Sequence, residues 1–213
     1  MPHPSNELDK IRSDIEKNLI CPLKDSATNL VFGKGNPNAK IIIIGEAPGK
    51  NEDLQGIPFV GKAGKHLDEL LNTINLKIED VYICNILKYR PPENRDPLPD
   101  EIERHTPFLL RQIDAIKPEI IVTLGNFSTK FILAESDLSK MDSIPGITRL
   151  HGKHRQITLN NQKYLVFPVF HPAAAIYNRK LLPELKNDFI HLGELLKSSK
   201  SVPNLKKWLY SPT

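Results

Sequence analysis

The chain predicts a three-layer α/β/α fold built on a central, mainly parallel four-stranded sheet. Three observations carry that expectation. The short β-branched runs at residues 40–44 and 119–124 are apolar on both faces, as strands covered by helices are. Stretches with helical spacing alternate with them, as at Leu67, Leu70, Leu71 and Ile74. Polar clusters follow strand after strand, which suits crossover connections with chemistry at one edge of the sheet.

The elements follow in order. Residues 8–20 pattern as an amphipathic helix through Leu8, Ile11, Ile15 and Leu19, stopped at Cys21-Pro22. Residues 22–39 read as loop, punctuated by Gly33, Gly35 and Pro37. The first strand, 40–44, runs into a Gly- and Pro-rich loop over 45–64. A helix over 62–74 and a second strand over 80–86 come next, then a proline-rich loop over 88–97. Asp100 is placed to cap a helix reaching about residue 116. The third strand, 119–124, ends at Gly125, and Asn126 opens a helix carrying Phe127, Phe131 and Ile132. Residues 136–163 are polar and turn-rich, with Asn160-Asn161 positioned to turn a hairpin between 155–159 and 163–167. The last strand, 164–170, delivers His171-Pro172, and a final helix spans 182–196. The basic tail over 197–213 is expected to be loosely ordered.

Length and composition narrow the class. At 213 residues one domain is expected over 1–213, with a core at about 8–196. No apolar run approaches a membrane span, and residues 1–7 lack the apolar core of a signal peptide. The expected setting is cytoplasmic, or nucleoid-associated if the partner is DNA. Cys21 and Cys84 do not form a disulfide framework, and Cys84 sits within a strand as a small buried residue. A net charge of +4 is compatible with nucleic acid without demanding it.

The loop over 45–64 is the most informative stretch. It holds Glu46, Glu52, Asp53 and the isolated Phe59 among permissive glycines, at the carboxyl end of a buried strand. Loops at that end of an open sheet are where ligands bind. Asn85 closes the second strand and His171 follows the last. Three strand ends carrying such groups can converge on one pocket. The loop has neither a Walker lysine pattern nor GxGxxG spacing, which argues against a nucleotide-phosphate site.

At these residues the chain resembles the uracil-DNA glycosylase superfamily, specifically its fourth, archaeal and thermophilic family. The carrying motifs are Gly45-Glu46-Ala47-Pro48-Gly49, Glu52-Asp53, and Gly56-Ile57-Pro58-Phe59-Val60-Gly61-Lys62-Ala63-Gly64. Further along come Cys84-Asn85, Lys88-Tyr89-Arg90-Pro91-Pro92-Glu93-Asn94-Arg95 and His171-Pro172-Ala173. The likeness is collinear from about residue 8 to 196.

The resemblance implies a monofunctional DNA repair enzyme that hydrolyses the glycosidic bond of uracil flipped out of single- or double-stranded DNA. It implies catalytic roles for Glu46 and His171. His171 would donate to the uracil O2, and Glu46 would position water or support the sugar cation. It implies a substrate pocket formed by Gly45, Ala47, Pro48, Gly49, Glu52, Phe59 and Asn85. A carboxamide at Asn85 matches uracil N3–H and O4 and mismatches cytosine. Each residue also has a plainer reading: His171 satisfied by backbone, Asn85 capping a strand, Phe59 plugging the core, Glu52 and Asp53 capping a helix or loop. Lys88, Arg90, Arg95 and Arg179 are the candidate DNA contacts, and Arg179 or Tyr177 the side chain filling the gap left by the base. A covalent uracil-trapping relative carries a histidine-containing insertion after the second strand, absent here. The alternatives are a non-catalytic lesion-binding protein, or a glycosylase for another deaminated base such as hypoxanthine.

One departure stands out. The family holds a four-iron four-sulfur cluster on four cysteines. At those positions this chain has Cys21, Lys24, Tyr89 and His105. No cluster or other metal is expected, and the protein is expected to act as a monomer.

Overall fold

The computed structural model describes residues 3–201. In chain order the elements are α1 (Pro4–Asn18), α2 (Pro22–Ser26), β1 (Lys34–Gly35), β2 (Ile41–Gly45), α3 (Lys50–Gln55), α4 (Lys62–Thr73) and β3 (Val81–Asn85). Then come α5 (Pro99–Ile116), β4 (Ile120–Leu124), α6 (Gly125–Leu133), α7 (Ile147–Leu150), β5 (Arg155–Leu159), β6 (Gln162–Val169), α8 (Pro172–Tyr177) and α9 (Leu182–Ser201).

The alternation of side chains along each strand explains the layering. Ile42 and Ile44 of β2 face a core built with Leu8, Ile11 and Ile15 of α1, Leu109 and Ile113 of α5, and Phe131 of α6. Ile41 and Ile43 face the opposite core, with Leu67, Leu70 and Leu71 of α4 and Leu185, Phe189 and Leu192 of α9. The sheet is thus covered on both faces, and every residue of β2, β3 and β4 is buried.

The strand order is β1-β3-β2-β4-β6-β5. The central four, β3, β2, β4 and β6, are parallel, as expected. Six strands rather than four make up the sheet. β1 adds antiparallel to β3, and β5 adds antiparallel to β6 as one arm of the hairpin anticipated at 160–161. From β2 the chain crosses to β3 on one side, and β4 returns on the other side of β2. The carboxyl ends of β2 and β4 therefore mark the topological switch point.

Several boundaries depart from expectation. The loop over 45–64 contains α3, a short helix opened by Gly49 and closed by Gly56 at φ 69°. Asp100 does not cap α5. Leu98 is the N-cap residue, Pro99 takes the first helical position, and the Glu101 carboxylate accepts the Leu98 N–H. The last helix continues past residue 196 through Ser201, and the rest of the basic tail lies outside the described residues.

Candidate active site

A cavity of about 420 Å³ opens at the carboxyl ends of the parallel strands. Glu46, Ala47, Pro48, Gly49 and Glu52 reach it after β2, Phe59 from the approach to α4, Ala63 from its first turn, and Asn85 from the last position of β3. Pro91, Asn94 and Arg95 come from the following loop, and His171, Ala173 and Tyr177 from the exit of β6. Segments more than 100 residues apart in sequence meet here because β2 and β3 pair directly, with β4 between β2 and β6.

Two glycines set the geometry. Gly45 is buried beneath the cavity. A Cβ there would collide with the Asn85 carboxamide oxygen and come within 2.8 Å of the Phe59 ring. The ring and the amide can approach each other only over a residue without a side chain. At Gly64, in the first turn of α4, a Cβ would collide with the Phe59 carbonyl. Phe59 itself is buried and sits at φ 53°, a left-handed conformation that a bulky residue adopts only when its surroundings impose it. Its ring lies 5.9 Å from the His171 ring at 27°, a stacked pair along one wall.

His171 is the N-cap of α8, and its Nδ1 accepts the Ala173 N–H at 3.1 Å. Burial pulls its pKa down to about 4, so the ring is neutral at neutral pH. A neutral imidazole accepting at Nδ1 must carry its proton on Nε2. The helix cap thereby fixes the tautomer and leaves Nε2–H as a neutral donor. Gly125, at φ 87°, would place a Cβ 3.0 Å from the His171 Cβ, so the start of α6 can lie this close only as glycine.

Asn85 is 2% exposed, and its carboxamide has no hydrogen-bond partner among the described residues. Buried amides are nearly always paired, so one left open toward a cavity marks a place for a ligand. Glu46 is half-buried on the cavity wall. Burial, reinforced by the negative charge of Asp96, raises its pKa to about 7. Glu52 accepts the N–H groups of Val60 and Gly61 at 3.0 and 2.8 Å, holding the entry to α4. Its other oxygen would be 2.8 Å from a Cβ at Gly49, so the same carboxylate also occupies space beside the cavity. Asp53 is buried and accepts the N–H groups of Thr28 and Asn29, a structural tie away from the cavity.

This pocket can be set beside known proteins. The model of the uracil DNA glycosylase superfamily matches residues 32–192. A type-4 uracil-DNA glycosylase of Archaeoglobus fulgidus is 45% identical over 95% of this chain and 98% of its own length. One of Saccharolobus solfataricus is 46% identical over 96% of this chain and 93% of its own. One of Thermotoga maritima is 42% identical, covering 81% and 85%. The chain belongs to the uracil DNA glycosylase superfamily.

Within that family frame, the basic candidates separate. Lys88 is a correction: it is fully buried, and its Nζ donates to the Asn85 carbonyl at 2.6 Å, so it has no surface to offer a phosphate. Arg90 donates to the Asn94 side chain. Arg95 grips the nearly buried Glu101 carboxylate through two nitrogens, at 2.9 and 2.5 Å, while edging the cavity. Arg179 is exposed and makes no ion pair among the described residues. The cavity also recruits Pro91, Asn94 and Ala63, which the sequence did not single out. Glu93 and Asn94 both adopt left-handed φ, 54° and 57°, and the Pro-Pro-x-Asn run was the available signal for so tight a loop.

The four positions of the family's cluster form a packed corner instead. Cys21 is buried, and its thiol pKa is raised by that burial. Lys24 turns its Nζ to the Glu16 carbonyl at 2.7 Å. Tyr89 and His105 pack edge to face with ring centres 6.3 Å apart. His105 donates from Nδ1 to the Glu101 carbonyl at 2.6 Å, and its buried Nε2 has no partner. Burial lowers its pKa to about 4. One neutral thiol and one imidazole do not match the donor set of a four-iron four-sulfur cluster, so these residues do not fit the group. Among the described residues no helix is long and apolar enough to cross a membrane.

Proposed function

We propose that this chain is a monofunctional uracil-DNA glycosylase of base excision repair that reads a flipped uracil with Asn85, Phe59 and His171. The observation that carries this reading is the Asn85 carboxamide, which makes no side-chain hydrogen bond among the described residues and lines the same cavity as a neutral histidine donor. An amide that offers an acceptor and donors pairs with uracil N3–H and O4. With cytosine it would face like against like and stay unpaired, at a cost of about 1–3 kcal/mol.

The chemistry follows from charge. As the bond between uracil N1 and the sugar C1′ breaks, its electron pair goes to the base and the sugar becomes cation-like. The His171 Nε2–H donates to O2, where negative charge collects. As a neutral donor it stabilises the anion without having to transfer a proton. The Phe59 ring holds the base by stacking, worth about 1–3 kcal/mol. An ionised Glu46 faces the developing sugar cation and orients the water that attacks C1′, whose proton leaves through the carboxylate to solvent. No metal or cluster enters any step, and we read the protein as needing none.

Tyr177 supports the finer reading of base flipping. It edges the cavity, yet the ring is 90% exposed at the end of α8, poised to fill the gap left by the base. The exposed Arg179 lies two residues on, suited to a flanking phosphate. We read the protein as a monomer working on the DNA of its cell.

The test is incubation with a uracil-containing oligonucleotide, single- and double-stranded, followed by alkaline cleavage at abasic sites. Strand breaks at uracil alone are expected. Tight binding without breaks would replace this reading with a lesion-binding protein. Breaks at hypoxanthine instead would replace the substrate.

A further inference from the structure

Two lysines near the cavity point inward. Lys88 is wholly enclosed, forms no ion pair with a carboxylate among the described residues, and gives its Nζ to the main-chain carbonyl of Asn85 at 2.6 Å. Lys34, on edge strand β1, is half-buried and gives its Nζ to the main-chain carbonyl of Phe59 at 3.0 Å. The two carbonyls belong to the two residues whose side chains meet over Gly45.

The Lys88 arrangement is not explained by stability. Enclosing its amine with one hydrogen bond and no carboxylate partner among the described residues is costly relative to an apolar side chain of the same length. Holding Phe59 at φ 53° adds backbone strain. Such departures persist where geometry is held for function. The donors are also well placed to hold it. The Lys88 carbonyl accepts the Val31 N–H at 2.9 Å, which anchors the base of its stem. The N–H groups of Ile86 and Leu87 donate to Gly45 and Glu46, both at 3.0 Å. Asn85 is in the last pair of the β2–β3 ladder, opposite Gly45, and its carbonyl takes the Lys88 Nζ where the strand ends. On the other side, the collision waiting at Gly64 shows how closely the first turn of α4 lies against the Phe59 carbonyl that Lys34 takes.

We propose that Lys88 and Lys34 are positioning residues that clamp the main chains of Asn85 and Phe59, setting the carboxamide and the ring at the separation a planar base requires. The inference rests on the uracil-pocket reading above. It removes Lys88 from the phosphate contacts altogether. It also assigns both lysines to protein geometry rather than to DNA affinity.

The experiment uses the full chain with Lys88→Met and Lys34→Met. It reads single-turnover uracil release, binding of free uracil, affinity for an abasic-site duplex at several salt concentrations, and Tm. Expected for Lys88→Met is a release rate lower by roughly 10- to 100-fold, the cost of misplacing a group by about an ångström. Free uracil should bind more weakly by a similar factor. Abasic-duplex affinity and its salt slope should not change, and Tm should hold or rise. Lys34→Met should show the same pattern, roughly 3- to 10-fold in size, since Lys34 leaves its partner strapped by α4.

Normal release and normal uracil binding in both variants would overturn the proposal. So would weaker duplex binding with a salt slope shallower by about one, the mark of a lost phosphate contact. A fall in rate matched by a fall in Tm, with uracil affinity intact, would reduce the lysines to structural parts. If Lys88→Met does not fold, Lys34→Met, on an edge strand, decides. If the wild type binds free uracil yet releases none from DNA, the hydrolase reading falls and the uracil affinities alone judge the clamps.

Discussion

The base pocket and the corner at Cys21, Lys24, Tyr89 and His105 both draw on the loop that follows β3, the pocket through Pro91, Asn94 and Arg95 and the corner through Tyr89, yet they are built by opposite rules. In the pocket local preferences are broken repeatedly. Phe59 is held at positive φ, a carboxylate is pushed to about 7, and the Asn85 amide is left facing the cavity with no side-chain hydrogen bond among the described residues. In the corner nearly every preference is met. Tyr89 packs on His105, Lys24 reaches a carbonyl, and Arg95 with Glu101 ties the loop to α5. Only the His105 Nε2 stays unsatisfied. Strain gathers where geometry must serve a ligand, and its absence identifies a region free to relax into core.

The sharpest way to break this contrast is at His171. His171→Ala should lower uracil release by about 10²–10³-fold, the cost of removing one preorganised donor to a developing anion. Stability should fall by only about 1 kcal/mol, for the lost cap on Ala173. A drop in Tm without a drop in rate would make the residue a cap and nothing more.

Glu46→Gln comes next. A carboxylate with a pKa near 7 gives the wild type a kcat/KM that rises with pH through about 7 and then levels. The variant should be slower by about 10–100-fold and lack that limb. The stability effect has the other sign. An acid whose folded pKa lies above its unfolded value of 4.5 stabilises the fold most below pH 4.5, and that share is lost as pH rises through 7. Glu46→Gln should therefore be more stable than the wild type at pH 8, by about 1–2 kcal/mol after allowance for partial exposure. A wild-type profile flat from pH 6 to 8 would remove Glu46 from the chemistry.

Gly64→Ala probes strain directly. Its new methyl has only the Phe59 carbonyl to meet, so α4 or Phe59 must move. A stability cost of about 1–3 kcal/mol is expected, with a roughly tenfold loss of rate as the ring shifts. Unchanged kinetics in a destabilised variant would show that the ring's placement is not critical.

Much of this architecture was legible in the sequence, and the reasons differ by element. The parallel strands announced themselves because burial on both faces demands unbroken β-branched runs such as Ile41 to Ile44. The meeting of Glu46, Asn85 and His171 at one edge followed from parallel strands all ending on the same side. What stayed hidden is local or directional. α3 is too short to show a period, and β1 is a two-residue pairing with no pattern of its own. The cap of α5 went to Leu98 because Pro99 suits the first turn and Glu101 can reach back. Lys88 misled because a lysine's charge says nothing about which way its stem runs.

The corner offers the smallest effect on rate. His105 and His171 are both held neutral by burial, with pKa values near 4 against 6.5 when unfolded. A base whose folded pKa is depressed leaves the fold at full stability above pH 6.5 and withdraws stability as pH falls from 6.5 toward 4. His105→Leu should remove its share of that acid loss, about 2–3 kcal/mol at pH 4. At pH 7.5 uracil release should stay within about twofold of wild type, since the ring touches no part of the pocket. Cys21→Ser should likewise leave rate and visible spectrum unchanged, because a neutral buried thiol beside one imidazole is packing rather than ligation. An iron–sulfur absorbance in the wild type that vanishes in Cys21→Ser would erase the distinction between pocket and corner. An acid limb unaltered in His105→Leu would show instead that the buried imidazole contributes nothing to the acid loss.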